Sequence, residues 1–152
     1  MEAPTEGSYW VEPGRLLAGR YPGSCEDVAA LDAAGVTLLV DLTEADERPP
    51  YVLSPPARHV CVGIADFSAA SVSTMRRVLD LIRAELDSGG VVYVHCLGGC
   101  GRTGSVVGCH LVEGGLGGDE ALSRVEELCG WPCPETPEQR ALVRSWVAVR
   151  RG

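Results

Sequence analysis

The sequence predicts an α/β domain with a central, mostly parallel sheet of four to five strands flanked by helices. Three observations predict it. Two runs, Val36-Thr37-Leu38-Leu39-Val40-Asp41-Leu42 and Val91-Val92-Tyr93-Val94, are almost wholly apolar, as strands buried on both faces are. Strand-like stretches alternate with helical ones, the order of a parallel sheet joined by crossovers. The second apolar run passes through a glycine-rich loop into a further apolar stretch, Ser105 to Val112, and strand, loop and helix in that succession build anion sites.

Taken in order, residues 1–8 read as a loose terminus. Pro13-Gly14 makes a turn, Arg15 to Gly19 a short strand, and Tyr21-Pro22-Gly23 a loop. Ser24 is an N-cap for a helix through Val28, Leu31 and Ala34 that stops at Gly35. The first apolar strand follows and ends at Asp41, at the sheet edge where sites form; Asp41 is a second-choice catalytic acid, with a capping or turn role ahead of it. Glu44 to Pro56 is an acidic, proline-rich connection expected near the mouth of a site. Arg58 to Ile64 alternates as a third strand.

The loop Ala65 to Ser71 leaves that strand at its carboxyl end and carries Asp66. Ser71 opens an amphipathic helix with Val72, Met75, Leu79, Ile82 and Leu86 on one stripe. A right-handed crossover through it sets the Asp66 loop and the loop after Val94 on one edge of the sheet. Asp119 to Cys129 is a further helix. Thr136-Pro137-Glu138-Gln139 is a capping box with proline at the first helical position, and the helix it opens is expected to turn Leu142, Val143, Trp146 and Val149 inward.

Composition narrows the function. The 152 residues carry a formal charge of −8, with 45% hydrophobic and 22% charged residues, the make-up of a single globular domain. An acidic surface disfavours nucleic acid and anionic lipid, since a polyphosphate demands a broad basic surface. No apolar run reaches the length of a bilayer span and no signal-peptide pattern is present, so a cytoplasmic protein is expected. Seven cysteines, an odd number, read as reduced thiols. All 13 basic residues are arginine, for which we have no physical account.

The chemistry concentrates in His95-Cys96-Leu97-Gly98-Gly99-Cys100-Gly101-Arg102-Thr103-Gly104. Its glycines let several N–H groups turn into one concavity, and the helix beginning near Arg102 adds its positive end, so a phosphate-sized anion fits. Cys96 lies at the strand end facing those groups, surroundings that favour an anionic sulfur nucleophile. Arg102 offers a planar fork matched to two phosphate oxygens. Thr103 can set a hydroxyl near the sulfur, and His95 can brace the loop through a ring N–H.

At these residues the sequence resembles the cysteine-dependent protein tyrosine phosphatases, whose signature His-Cys-x-x-Gly-x-x-Arg-(Ser/Thr)-Gly is filled at every position; the short chain looks most like their compact dual-specificity branch. The resemblance implies a protein tyrosine phosphatase-like fold over a single phosphatase domain, 1–152. It implies Cys96 as nucleophile, with Arg102 and the loop N–H groups of Leu97, Gly98, Gly99, Cys100, Gly101 and Arg102 holding phosphate. The general acid of the family carries over to Asp66, thirty residues before Cys96, although Ala65 stands where the family often has proline. Gln139, in a segment like one that approaches the phosphate in relatives, is a supporting residue beside His95 and Thr103.

The resemblance further implies a phosphorylated protein or peptide as substrate, phosphotyrosine first and phosphoserine or phosphothreonine besides, in a monomer without metal or organic cofactor. Leu97 and Cys100 stand where the 3-phosphoinositide phosphatases carry basic residues, which argues against an inositol headgroup; glycan or small-molecule phosphates stay open. Three rival readings remain: a rhodanese-like sulfurtransferase, a non-catalytic phosphopeptide-binding module, and a zinc site from His95, Cys96, Cys100, Cys109 and His110, whose spacing lacks the Cys-x-x-Cys hairpin. An oxidised Cys96 would have Cys100 or Cys61 as candidate disulfide partners.

Overall fold

The computed structural model describes residues 1–149. Five strands form one sheet in the order β1-β2-β5-β3-β4: β1 is Ser8–Glu12, β2 Leu16–Gly19, β3 Leu38–Asp41, β4 Arg58–Cys61 and β5 Val92–His95. The pairings of β5 with β2 and β3, and of β3 with β4, are parallel; β1 folds back antiparallel on β2. The predicted turn at Pro13-Gly14 thus closes a hairpin, and the expected loose terminus ends one residue earlier than its stated boundary, because Ser8 already pairs with Gly19. Half-buried Tyr9 and Trp10 make β1 an edge strand rather than terminal coil.

The apolar strands bury both faces by simple alternation. Leu16, Ala18, Leu38, Val40, Val92 and Val94 face one core, and Leu17, Leu39 and Tyr93 face the other. Helix α1, Cys25–Ala33, covers the second face through Leu31. On the first lie α2, Val72–Asp87, and α3, Gly101–Glu113, with α4, Gly118–Cys129, and α5, Pro137–Ser145, packed behind α3. The stripe of α2 is as the sequence gives it: Met75, Leu79, Ile82 and Leu86 are buried, joined by Val78, while Val72 is 67% exposed at the helix start. Strand β4 forms the far edge, its outer positions Arg58 and His59 exposed to solvent, which blunts an edge against further pairing.

Two expectations about α5 change. The helix ends at Ser145, where Trp146 turns extended as its C-cap, so Val149 is not on an inward face but is 54% exposed. Its backbone N–H instead donates to Glu113. Among the described residues no helix is long and apolar enough to cross a membrane.

Candidate functional site

The central strand delivers the site. Strand β5 ends at His95, and the chain then bends through Gly98-Gly99 into the first turn of α3, whose N-cap is Cys100. Gly99 is the position where only glycine serves: its φ is 81°, and a Cβ there would lie 2.7 Å from the Arg20 backbone nitrogen. Tyr21 N–H donates to the Leu97 carbonyl at 3.1 Å, tying the outer limb of the loop to the end of β2. The thiol of Cys96 is 3% exposed, and its sulfur accepts from the Gly99 N–H at 3.2 Å. The sulfur therefore faces the concave side of the loop.

Arg102, the second residue of α3, is 2% exposed. A guanidinium is buried only when its donors are met, and here most are. Nη1 donates to the Ile64 carbonyl at 2.9 Å; Nη1 and Nη2 together grip the Glu47 carboxylate at 2.8 and 2.5 Å; and Asp66 Oδ1 lies 3.2 Å from Nη2. The hydrogen bond from Arg102 in turn holds the Glu47 carboxyl below the usual carboxylate range. One donor is left over: Arg102 Nε is buried and has no partner among the described residues.

His95 is wholly buried, and burial pushes its imidazole down to about 4, so the ring is neutral and carries one proton. Nδ1 lies 2.8 Å from the Cys96 carbonyl, which can only accept, so that nitrogen bears the hydrogen. Nε2 is then an acceptor, and the Tyr51 hydroxyl donates to it at 2.6 Å. The expected brace from His95 is present, with Tyr51 as a second link that the sequence did not single out.

The remaining candidates fall as follows. Asp66 sits at the loop mouth, 43% exposed by its side chain, its Oδ1 also accepting from the Phe67 N–H at 3.0 Å. Thr103 is buried with its hydroxyl 3.5 Å from the Gly19 carbonyl rather than on the Cys96 sulfur. Gln139 serves its capping box through Oε1, which accepts from the Thr136 N–H at 3.1 Å, while Nε2 donates to the Ser68 carbonyl at 3.2 Å. One rotamer thus caps α5 and pins the Asp66 loop, and the side chain lies against Gly101 beside Glu135. Cys100 turns its sulfur to the Pro132 carbonyl at 3.4 Å, away from Cys96.

Asp41 is fully buried and occupied structurally: it accepts from the Thr43 N–H and hydroxyl at 2.9 and 2.6 Å, meets His59 Nε2 at 2.9 Å, and pairs with Arg48. This is the turn role, not an acid poised over substrate. Asp41, His59 and Cys61 are spaced closely enough to hold a metal ion, yet the Arg48 guanidinium already sits on the carboxylate, where a cation would be repelled. The rival zinc set does not converge: His110 pairs with Glu12, and Cys109 is packed in the core with burial driving its thiol up to about 12. Glu47, Arg48 and Tyr51 are the site residues that sequence reasoning missed. The one available signal was a charged cluster beside the sheet's carboxyl edge, and nothing in its spacing says which member reaches Arg102.

With this geometry, known proteins of similar sequence and shape can be compared. Residues 5–144 match the family model described as PTP-SAK, the Swiss Army Knife protein DSP-PTPase phosphatase domain. The chain is 33% identical over 90 residues to the uncharacterized protein MJECL20 of Methanocaldococcus jannaschii, covering 59% of each. It is 31% identical over 114 residues to the putative tyrosine phosphatase 067L of Invertebrate iridescent virus 3, covering 70% of this chain and 45% of that one. The chain spans about half the length of these curated relatives. Among solved structures, Tk-PTP in the active form has a TM-score of 0.79 at 27% identity over 93% of this chain and 96% of that chain. DUSP15 shares the fold at a TM-score of 0.76 and 20% identity, over 92% and 86%.

Proposed function

The chain belongs to the dual-specificity-type protein tyrosine phosphatases, and from that premise we propose that it hydrolyses phosphotyrosine in protein or peptide substrates, with phosphoserine and phosphothreonine as further substrates, through a thiophosphoryl intermediate on Cys96. The observation that carries this reading is the orphaned Nε–H of Arg102, buried in a guanidinium whose other edge is already engaged and within electrostatic reach of the Cys96 sulfur. An unmet buried donor costs about 1–3 kcal/mol. A phosphate oxygen in the loop supplies the missing acceptor, and with it a reason for the arrangement.

The steps follow. The Cys96 sulfur attacks phosphorus and forms the S–P bond as the ester P–O bond breaks. Asp66 gives its proton to the departing oxygen, while Arg102 and the loop N–H groups hold the nonbridging oxygens where charge is spread. In the second step water attacks phosphorus and yields its proton to the Asp66 carboxylate; the S–P bond breaks and inorganic phosphate leaves. Glu47 holds the fork of Arg102 in plane, and the His95–Tyr51 pair holds the Cys96 carbonyl, so the loop is formed before substrate arrives. Each of these residues acts through the chain's own groups, and no step calls for a metal.

Substrate chemistry is read from the rim. Exposed Asp66 lies against Arg102 and exposed Glu135 lies beside Gly101, an acidic mouth that opposes a polyanionic headgroup. Phe67 is 61% and Leu97 41% exposed beside the loop, apolar faces suited to an aromatic leaving group. The test is turnover of an aryl phosphate and a phosphotyrosyl peptide in the presence of chelator. Wild type is expected to turn over both and Cys96→Ser neither; full turnover by Cys96→Ser, correctly folded, removes Cys96 as nucleophile. Asp66→Asn is expected to lower kcat by about 10²–10⁴ for poor leaving groups and far less for nitrophenolate, and an equal loss for both would take the acid role from Asp66.

A further inference from the structure

Apart from the signature cysteine, the described residues hold a compact group of thiols behind the loop. Cys129 is the last residue of α4, and Cys133 lies in the turn that leads to α5; their sulfurs are 2.9 Å apart and both are free. The approach is built into the backbone. Gly130 caps α4 in the left-handed conformation, φ 75°, so the chain reverses at once, and Pro132 and Pro134 fix the dihedrals of the return. Little rearrangement separates this contact from a bond of about 2.05 Å.

The surroundings distinguish the two. Cys133 is fully buried, whereas Cys129 is half-buried; both border a 320 Å³ cleft also lined by Gly99, Cys100 and Trp131, wide enough to admit a small peroxide to the more accessible Cys129. Cys133 has a second sulfur neighbour in Cys100, the N-cap of α3 within the signature loop. Cys100 spends its own S–H on the Pro132 carbonyl at 3.4 Å, so Cys133 is the donor between the two sulfurs, and that contact draws the ionisation of Cys100 below the ordinary thiol range and pushes that of Cys133 above it.

We propose that Cys129 and Cys133 are a modification site: a reversible disulfide, formed by two-electron oxidation with a hydroperoxide. The Cys129 sulfur attacks one peroxide oxygen, the O–O bond breaks, the alcohol or water leaves, and Cys129 becomes a sulfenic acid. The Cys133 sulfur then attacks the sulfenic sulfur; the S–S bond forms, the S–O bond breaks, and the hydroxyl departs as water with the Cys133 proton. Two thiols lose two electrons and two protons, and one peroxide is reduced by two electrons. A small thiol reverses the step by exchange. Once bonded to Cys129, Cys133 has no proton to donate, so Cys100 keeps only the Pro132 carbonyl, an acceptor that does nothing for its thiolate, and becomes a slower nucleophile. The site therefore reports the oxidation state of the α4–α5 turn to the loop that begins α3, and it does so whether or not the loop turns over a phosphate ester.

Tryptic mapping of the whole chain tests this directly. Cleavage after Arg124 and Arg140 gives peptide 125–140, whose only cysteines are Cys129 and Cys133, and cleavage after Arg83 and Arg102 gives peptide 84–102 with Cys96 and Cys100. After hydrogen peroxide at neutral pH and alkylation in denaturant, peptide 125–140 is expected unalkylated and lighter by two hydrogens, reverting with dithiothreitol. In native protein the alkylation of Cys100 by iodoacetamide, located by fragmentation of peptide 84–102, is expected to slow several-fold on oxidation. Cys129→Ala, or Cys129→Ser should that variant not fold, is expected to abolish the two-hydrogen loss. Peptide 125–140 doubly alkylated while peptide 84–102 is oxidised, or the two peptides found cross-linked, overturns the pairing. An unchanged Cys100 rate overturns its coupling to the loop.

Discussion

Glu47 decides how much of Arg102 is left for a substrate. Its two oxygens take Nη1 and Nη2 and leave Nε, so the carboxylate orients the fork without filling the phosphate's place. Glu47→Gln keeps the shape and removes the charge; hydrogen bonds to charged groups are worth about 1.5–3 kcal/mol, so kcat/KM for an aryl phosphate is expected to fall about 10- to 100-fold. A rise in kcat/KM would mean that Glu47 competes with phosphate instead. Tyr51→Phe removes the hydroxyl that His95 Nε2 accepts and is expected to cost about 1 kcal/mol in urea unfolding, with a loss of kcat; unchanged values of both would free the loop from that brace. Cys96 and Arg102 were legible as candidates because the signature that carries them is local in sequence and spans only ten residues. Glu47 was not, because it lies 55 residues from its partner in a segment whose composition says only that it is exposed.

At the scale of the elements, the loop between β5 and α3 holds the backbone conformation on which the site depends. Gly99 combines a φ of 81° with a neighbouring backbone atom 2.7 Å from any added Cβ. Gly99→Ala is therefore expected to lower stability by more than the roughly 1 kcal/mol of a strained backbone position and to abolish activity before it abolishes the fold. Thermal melts and aryl phosphate turnover check this; a variant with wild-type turnover would mean that the loop does not require the left-handed turn. The buried strands could be read from sequence because an unbroken apolar run reports burial on both faces, and α2 because a period of 3.6 marks one buried stripe. Strand β1 could not: Tyr9, Trp10 and Val11 are all half-buried, an edge strand without alternation. The end of α5 failed for a related reason, since Trp146 and Val149 fit a helical stripe by spacing, while the chain leaves the helix at Trp146 and hydrogen-bonds to Glu113 through the Trp146 ring and the Val149 N–H. Gln139 was legible as a cap, and its second bond, to Ser68, depends on a loop that lies 71 residues away.

Across the whole molecule, the site's buried polar network sets the response to acid. Burial holds His95 at about 4 against an ordinary 6.5, and lowers His59 in the same direction. A histidine with a depressed native pKa binds fewer protons folded than unfolded, so its contribution is complete above about pH 6.5 and is lost as pH falls toward 4, a change of about 3 kcal/mol for His95. Glu47, held low by Arg102, adds its own loss only below its ordinary range. Urea titrations between pH 7 and 4 are expected to show unfolding free energy declining through this window, with a flatter slope in His95→Asn, and a level profile in wild type would contradict the neutral, buried ring. The fold brings the Asp66 loop and the Cys96 loop to one edge of a parallel sheet, as the handedness of the crossover through α2 predicts, and the proposed chemistry is that a sulfur there receives a phosphoryl group. Rapid alkaline quench during turnover of an aryl phosphate, followed by mass mapping of peptide 84–102, measures that transfer most directly. A phosphate adduct on Cys96 that forms with the first burst of product is the predicted result; steady product release with Cys96 never phosphorylated would contradict it.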